Sequence, residues 1–407
     1  ADFDFDRGSN AAATRINSSG LIEKYRENLL LQSNAFSNAA WTKAASSITS
    51  GQTDPNGGTN AFKIVEDTST NYHRIFGGYT MVSGSVYATS VTAKAAGRNY
   101  LTLSNNVSSG TCVFNLTNGS IETQESNVIA AKTTDLGDGW YRCEMVALGD
   151  KSGSYNVFIG ADNDGAIGTY LGDGTSGVLI YQSQIESSLV ATDYLNSTSV
   201  TAKAGVLIDL PRINYDANGE NGALLLEPSR VNNFNYSEYS AAIEYNNVNS
   251  ITNNAAISPE GVQNALEINA DGNDIVDSYR SAGSGVVGTF SVFAKAGTGD
   301  SIRMSHSSTG SSAYTDFNLT SGTRISTGGA QYINSDIKDY GNGWYRISIT
   351  FTSGTGGYIN RLTLQDTGVY QIYGFQLEAG SYVSSYIPNH SGTGGVTRAA
   401  DSCSVTG

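Results

Sequence analysis

Cysteine is scarce in this chain, which has three in 407 residues: Cys112, Cys143 and Cys403. Three cysteines at unrelated spacings form no disulfide framework, which argues against a small secreted domain held together by disulfides. We expect all three to be buried free thiols.

Positive charge and long apolar runs are also lacking. The chain has 23 Lys and Arg against 37 Asp and Glu, a net charge of −14. Binding to a polyanion such as nucleic acid requires clustered Lys and Arg, so nucleic acid is excluded as a partner. No stretch approaches the ~18 apolar residues of a membrane helix, and we expect no membrane insertion.

Catalytic motifs are missing as well. The three histidines, His73, His306 and His390, are far apart and lack metal-ligand spacing, and no Gly-x-Ser-x-Gly occurs. Two Gly-x-Gly-x-x-Gly patterns, at 172–177 and 283–288, precede predicted strands rather than helices, unlike dinucleotide sites. Carboxylate pairs for glycoside hydrolysis are defined by distance in space, so the sequence leaves them open. We predict that the chain is not an enzyme.

What the chain does have is a repeated turn followed by an alternating run. Residues 135–142 read Asp-Leu-Gly-Asp-Gly-Trp-Tyr-Arg, and 339–346 read Asp-Tyr-Gly-Asn-Gly-Trp-Tyr-Arg. Gly139 and Gly343 can adopt the positive φ of a tight hairpin turn. The strand that follows places Trp140 and Trp344 towards a core and the next tyrosines on the other face.

Further matches show that this repeat is part of a duplicated domain. Residues 90–94 match 291–295, 114–117 match 317–320, and 184–186 match 376–378. A period of this length is a domain duplication rather than a solenoid. We expect the two copies to superpose, with the main difference in the 161–177 loop.

The fold class follows from short β-branched and aromatic runs between polar turns, with 47 glycines. We predict an all-β chain of two tandem β-sandwich jelly-roll domains joined by short β connectors. The predicted segments are a connector 1–27, a domain 28–200, a connector 201–230, a domain 231–400 and the start of a further connector 401–407. Strands of the first copy are expected near 40–49, 61–66, 85–94, 99–104, 111–116, 140–148, 155–160 and 178–185.

Two sets of residues carry a resemblance to known families. Residues 28–41, Asn-Leu-Leu-Leu-Gln-Ser-Asn-Ala-Phe-Ser-Asn-Ala-Ala-Trp, and the Asp-x-Gly-x-Gly-Trp-Tyr-Arg motif resemble carbohydrate-binding-module jelly rolls of the xylanase and glucanase type. The segments 210–215, 224–228, 375–381, 385–388 and 396–401 are similar to structural proteins of tailed bacteriophages. The second copy departs from the first group, since it has no tryptophan opposite Trp41.

The resemblance implies a phage virion-surface protein, a tail fibre or similar, that adheres to host-surface polysaccharide and contacts other virion proteins. Two alternatives remain open: a capsid decoration protein without a ligand, or tandem binding modules of a secreted polysaccharide-degrading enzyme. A virion fibre gains avidity from many weak sites, so we expect a homo-oligomer, namely a homotrimer.

Candidate ligand-binding residues are aromatic, amide and charged side chains at the expected sheet surfaces, because sugars are bound by aromatic faces and polar groups in a concave site. Residues 71–74 and 277–280, which we take to be equivalent segments of the two copies, supply such residues, and so do the late strands around 181–184 and 370–376. The candidates are Tyr72, His73, Arg74, Tyr181, Gln182, Tyr279, Arg280, Gln371 and Tyr373. Solvated loops are the alternative interpretation; for Trp41 a core role is preferred to ring stacking.

The extra loop of the first copy is a candidate for structural Ca²⁺. It carries Asp162, Asp164 and Asp173, hard oxygen ligands at suitable spacing, and the resembled jelly rolls often hold such an ion. The loop lacks the terminal Glu of an EF-hand. Asx turns without a metal are the alternative.

Overall fold

The computed structural model of the chain describes residues 2–9, 12–240 and 244–406, and each named element in these ranges is a β-strand. Two compact units are formed: the first unit is Arg26–Ala204, and the second unit combines Ala1–Tyr25 with Gly205–Gly407. Within the described ranges, no helix is long and apolar enough to cross a membrane.

Three strands precede the first unit: β1 Asp2–Asp6, β2 Thr14–Ile16 and β3 Ile22–Lys24. The strands of the first unit are β4 Arg26–Asn28, β5 Trp41–Ala44, β6 Ser46–Gln52, β7 Ala61–Glu66, β8 Thr70–Asn71, β9 His73–Met81, β10 Val86–Ala96, β11 Tyr100–Ser104, β12 Thr111–Asn115, β13 Ile121–Gln124, β14 Val128–Gly137, β15 Trp140–Leu148, β16 Gly153–Asp162, β17 Tyr170–Leu171, β18 Gly177–Glu186 and β19 Ala202–Ala204. The later strands are β20 Ile213–Asn214, β21 Ala223–Leu224, β22 Arg230–Asn232, β23 Glu244–Ile257, β24 Gln263–Ser278, β25 Val287–Ala296, β26 Ser301–Ser308, β27 Ser311–Asn318, β28 Thr323–Gly328, β29 Tyr332–Asp339, β30 Trp344–Thr352, β31 Ile359–Leu364, β32 Thr367–Ala379, β33 Val396–Arg398 and β34 Ser402–Thr406.

The first unit is a β-sandwich of two six-stranded antiparallel sheets. One sheet has the order β14-β15-β10-β18-β7-β6 and the other has the order β13-β12-β11-β16-β9-β5. Alternate residues of both sheets point inwards and form one core, which includes Ile64, Leu101, Phe114, Met145 and Ile180. The other face of the β13–β5 sheet carries the candidate site described below.

The second unit contains the same sandwich, with one difference in how its two sheets are joined. Its strands form a single hydrogen-bonded path, β28-β27-β26-β31-β24-β32-β25-β30-β29, with β23 paired to β24. Strand β24 reaches both sheets because it pairs with β32 through 266–271 and with β31 through 274–278. In the first unit the corresponding strand is divided into β7 and β9.

The gap between β7 and β9 occurs together with the extra loop of the first copy. Strand β8, which lies in the gap, pairs with β17 from that loop. Glu66 at the end of β7 holds the loop, because its buried carboxylate accepts hydrogen bonds from the Tyr170 hydroxyl and the Asp173 amide, both at 2.7 Å. The carboxylate also accepts a bidentate pair of hydrogen bonds from Arg98.

Both connectors belong to the second unit. Residues 14–24 and 213–224 each form a short hairpin, and β1 pairs with β34 near the other end of the chain. Buried charges join these segments: Arg212 contacts the carboxylates of Glu227 and Asp401, and Arg398 contacts Glu227 at 3.0 Å. The hydrophobic faces of these hairpins are too small to form cores alone, so packing on a sandwich is physically necessary.

The repeated hairpins have the predicted glycine turns, but their tryptophan and tyrosine side chains lie on the opposite faces of the sheet from those predicted. Gly139 and Gly343 both have a φ of +77°, and Trp140 and Trp344 are buried, as predicted. However, the neighbouring tyrosines pack against the main cores, whereas Trp140 contacts a separate cluster with Ala61 and Tyr181 on the opposite face of its sheet. The predicted facing was wrong because the outer face of this sheet is also covered.

The predicted fold class is confirmed: the chain is all-β, with two β-sandwiches of the jelly-roll type. Cys112 and Cys143 are buried free thiols as expected, whereas Cys403 is only half-buried. Trp41 has a core role, since it is 1% exposed and its ring lies against Gly77.

Candidate functional site

A groove crosses the outer face of the β13-β12-β11-β16-β9-β5 sheet in the first unit. Its volume is about 310 Å³, within the range of small-molecule sites in proteins. The floor is formed by strands, and the extra loop forms part of one wall. The lining side chains of interest are Tyr72, Arg74, Thr102, Ser104, Thr111, Glu125, Phe158, Asp162 and Ile167.

The strand registers explain why these residues share a face. Arg74 is opposite Gly160, and Gly160 is opposite Thr102. Two residues earlier in β16, on the same face, Phe158 is paired with Phe76 on one side and with Ser104 on the other. Because side chains alternate, the residues between them, such as Ile159 and Leu101, point into the core.

Gly160 keeps the floor of the groove open. A Cβ atom at this position would lie 3.1 Å from the Cβ of Arg74 and 3.1 Å from the His73 carbonyl oxygen. Any larger side chain would stand between Arg74 and Thr102. The glycine therefore leaves room where the strands would otherwise project a side chain.

Arg74 is held between two aromatic rings. Its guanidinium carbon lies 4.3 Å from the centroid of Phe158 and 4.9 Å from that of Tyr72, both cation–π distances. Burial lowers the pKa of Arg74 from its usual value, but not enough to remove the charge at neutral pH. The rings hold the guanidinium group at the groove surface.

Two carboxylates line the same groove, and neither forms an ion pair with Arg74. Asp162 accepts hydrogen bonds from the amides of Asp164 and Gly165, at 3.1 and 2.9 Å, and burial raises its pKa. Glu125 follows β13, four strands from β9, or roughly 19 Å at the usual strand spacing. The groove thus carries separated charges together with the hydroxyls of threonine and serine.

The structure brings together only part of the predicted ligand set. Tyr72 is 39% exposed and lines the groove with Arg74. His73 is 1% exposed, and its ring nitrogens contact the carbonyl oxygens of Ala45 and Tyr170 at 2.7 and 3.2 Å. Its contacts are therefore those of a structural histidine beneath the site.

Tyr181 and Gln182 lie on the opposite sheet from the groove, in β18. Tyr181 is buried beside Trp140. Gln182 occupies a β-bulge with a φ of +51°, and its amide donates to the Asn34 side-chain oxygen at 2.8 Å. The bulge repeats in β32 at Gly374, which has a φ of +66°.

The candidates in the second unit are also dispersed. Tyr279 and Arg280 are exposed just after β24, whereas Gln371 pairs with Glu267 near the other end of that strand. Tyr373 is fully buried. The registers also show that the segment beginning at Asp277 does not match residues 71–74.

The three aspartates of the extra loop cap separate turns. Asp162 binds the backbone as described, Asp164 accepts from the Ala166 amide at 3.1 Å, and Asp173 accepts from the amides of Thr175 and Ser176. Among the described residues, no group of three or more His, Cys, Asp or Glu side chains could hold a metal ion. These are Asx-turn contacts, and the Ca²⁺ site stays a prediction.

A pair of carboxylates does occur in the second unit, between Glu238 and Glu260. Both accept from Lys24, at 3.0 and 2.5 Å, and both contact the Tyr373 hydroxyl. Their pKa values are moved apart, to about 2 for Glu238 and about 7 for Glu260, as in an acid–base pair. The side chains are 0% and 8% exposed, so a polymer has no access, and we interpret the cluster as structural.

Sequence reasoning missed most of the groove. Phe158, Thr102, Ser104, Thr111 and Glu125 were not candidates. Phe158 had a usable signal, since it stands between the core residues Val157 and Ile159 and must therefore face outwards. For the hydroxyl residues, the sequence offers no signal that separates a groove from any exposed strand.

No family model and no curated protein matches the chain. Solved structures that are similar include the N-terminal tandem CBM22-1–CBM22-2 domain of Xyn10C from Paenibacillus barcinonensis, with 11% identity, 92% of this chain and 100% of that chain covered, and a TM-score of 0.29. Tandem CBM51 modules of a family 98 glycoside hydrolase from Streptococcus pneumoniae have 6% identity, 93% and 100% coverage, and a TM-score of 0.19. Both scores are below 0.5, so these likenesses assign neither a family nor a function.

Proposed function

We propose that this chain is a carbohydrate-binding protein and that the groove of the first unit binds a glycan. The observation that carries the proposal is the open sheet face on which Tyr72 and Phe158 stand beside the hydroxyls of Thr102, Ser104 and Thr111. Aromatic rings offer an apolar surface to the C–H faces of a sugar, and hydroxyls both donate to and accept from sugar hydroxyls.

The second unit is a weaker candidate for glycan binding. Its cavity of about 210 Å³ is lined by Arg346 and Glu227, which already have partners inside the protein. Arg346 donates to the Ser384 carbonyl oxygen at 2.7 Å, and Glu227 accepts from Ser385 and from two arginines. A ligand there would have to compete with these buried contacts.

The test is a glycan array with the full chain, followed by titration calorimetry on the best glycan. Tyr72→Ala removes an exposed groove ring, and we expect it to weaken binding at least about fivefold. Tyr279→Ala is the matched control, because this tyrosine is also exposed, at 57%, but lies in the second unit.

The two variants give opposite readings. Loss of affinity in Tyr72→Ala with a normal Tyr279→Ala supports the groove. Loss in Tyr279→Ala alone would move the binding site to the second unit, and no binding by the full chain to any glycan would remove the proposal.

For the biological setting we propose a phage virion surface, with host polysaccharide and other virion proteins as partners, on the strength of the sequence resemblance. We also propose a homotrimer. Leu210, Leu224 and Leu226 of the second connector are 51%, 44% and 49% exposed, an apolar surface that a second copy could cover. Immunogold labelling of particles tests the first proposal, and sedimentation of the full chain tests the second; a strict monomer at micromolar concentration contradicts the homotrimer.

A further inference from the structure

We propose that the groove takes an anionic glycan and that Arg74 binds an oxyanion substituent of the sugar chain: a carboxylate, sulfate or phosphate group. This inference rests on the proposed function of the groove and adds the chemical class of its ligand. The observation behind it is that Arg74 is half-buried in the groove and that no carboxylate in the described part of the chain forms an ion pair with it.

No described residue makes a hydrogen bond or an ion pair with the guanidinium. Its Nε atom is buried without a hydrogen-bond partner, and in the described part of the chain no hydrogen bond or ion pair involves the terminal nitrogens. Leaving a buried charged donor unsatisfied is costly, and such groups are normally paired. The two rings supply only a cation–π attraction, which satisfies none of the N–H donors with a hydrogen-bond acceptor.

The equivalent sheet of the second unit shows the usual arrangement. Ser104 pairs with Phe158, which pairs with Phe76; the corresponding residues there are Ser305, Arg361 and Asp277. Arg361 forms a bidentate ion pair with Asp277, at 2.7 Å for each bond.

A second arginine of that sheet, Arg303, is neutralised in the same way by Asp316, at 2.6 and 2.9 Å. The register places Ile275 where the first unit has Arg74. Two arginines of the duplicated sheet, Arg303 and Arg361, are thus neutralised internally, whereas the groove of the first unit presents an arginine that forms no ion pair with the described residues.

The planar N–H edge of a guanidinium fits two oxygens of one anion, which is why arginine is the common partner of carboxylate, sulfate-like and phosphate groups. The groove carboxylates do not compete for it: Asp162 is occupied by backbone amides, and Glu125 lies on the far wall. The hydroxyls of Thr102 and Ser104, both on β11 and two strands away from Arg74, are placed for the uncharged part of the sugar chain.

The experiment compares acidic polymers with neutral forms of the same backbone, using the full chain. The pairs are polygalacturonate and its methyl ester, dextran sulfate and dextran, and phosphomannan and mannan. The acidic form that binds identifies the oxyanion. We expect Arg74→Gln to weaken that binding at least about tenfold, Arg74→Lys to weaken it less, and added salt to weaken the wild type. Arg324→Gln, at an exposed arginine of the second unit, should bind as the wild type does.

The outcomes separate the two proposals. Equal binding of acidic and neutral forms, or wild-type binding of the acidic form by Arg74→Gln, overturns the anion assignment and leaves the glycan groove in place. Binding that depends on Arg74 but is equally strong for inorganic sulfate overturns the glycan proposal and leaves an oxyanion site. No binding to any probe overturns both. Thermal unfolding of Arg74→Gln at the wild-type temperature confirms that a loss of binding is not a loss of fold.

Discussion

Gln184 donates a hydrogen bond of 2.7 Å to the carboxylate of Glu186, two residues further along the same strand. Gln376 donates to Glu378 at the same distance in the second sandwich. In each copy the glutamine oxygen also accepts from a backbone amide, that of Leu195 or of Ile387, at 2.7 Å. The Gln-x-Glu repeat is therefore a buried bracket that fixes the segment returning over the outer face of the sheet.

Gln376→Ala should destabilise the second unit by about 3 kcal/mol, because it removes one donor from the buried Glu378 carboxylate, which keeps its contacts with Ser384, and leaves the Ile387 amide without its acceptor. Glu378 is 0% exposed, so water cannot replace the lost contact. Chemical denaturation measures the change. Gln371→Ala is the control, since this glutamine lies in the same strand and is only half-buried; equal losses in both variants would contradict the role of the bracket.

Trp344→Ala should cost about 3–5 kcal/mol of unfolding free energy, the usual range for emptying a large aromatic site. Trp344 is 2% exposed, and its indole nitrogen donates to the Ile257 carbonyl oxygen at 3.1 Å. Tyr279→Ala, at a side chain that is 57% exposed, should change stability by less than about 0.5 kcal/mol. A loss below about 1 kcal/mol for Trp344→Ala would mean that the ring is accessible.

The sequence was sufficient for the duplication and for most strands, because glycine turns and alternating runs are local signals. It was not sufficient for the facing of Trp140. Period-two alternation separates two faces but does not say which one meets the main core when both are covered. The segment after Glu186 covers the outer face, and its contacts depend on long-range pairing.

Only part of the candidate site was predicted, because the rest of it also depends on long-range pairing. Tyr72 and Arg74 were selected, but the strand His73–Met81 that places Arg74 was not predicted, since its centre is Gly77-Gly78. Phe158 joins Arg74 only through the β9–β16 register, which pairs residues about 80 positions apart. A local sequence pattern cannot predict a pairing between residues that are so far apart in the chain.

Glu66→Gln should loosen the extra loop that forms part of the groove wall. The carboxylate of Glu66 is buried and binds Arg98, Tyr170 and the amide of Asp173, so the neutral variant loses a charged partner for three donors. Hydrogen exchange of the 162–173 amides should become at least about tenfold faster, while core amides such as that of Ile159 stay protected. Unchanged exchange in the loop would show that β8–β17 pairing alone holds it.

The Lys24–Glu238–Glu260 cluster should make the stability of the second unit depend on pH. Burial and then the charge of Glu238 raise the pKa of Glu260 to about 7, against the attraction of Lys24. Burial alone would raise the pKa of Glu238, but the charges of Lys24 and His390 outweigh it and lower that pKa to about 2.

The direction of this pH dependence follows because the folded state holds the proton of Glu260 more tightly than the unfolded state does. In the unfolded state the pKa of Glu260 is near 4.5. This stabilisation is complete below pH 4.5 and is lost as pH rises through 7, by up to about 1.4 kcal/mol per pH unit. The contribution of Glu238 is lost only below pH 4.5. His306 acts in the opposite sense, because burial lowers its pKa and stability is lost as its proton binds.

Denaturation between pH 5 and pH 8 in wild type and Glu260→Gln measures the contribution of Glu260 together with its interaction with His390, since His306 affects both proteins alike. The amide has no proton to lose, so the variant should lack the decline in unfolding free energy that the wild type shows towards pH 7. Glu220→Gln, at an exposed glutamate of the second connector, should keep the wild-type profile. Parallel profiles for wild type and Glu260→Gln would mean that Glu260 is already ionised at pH 5 and that Lys24 stabilises both carboxylates as charges.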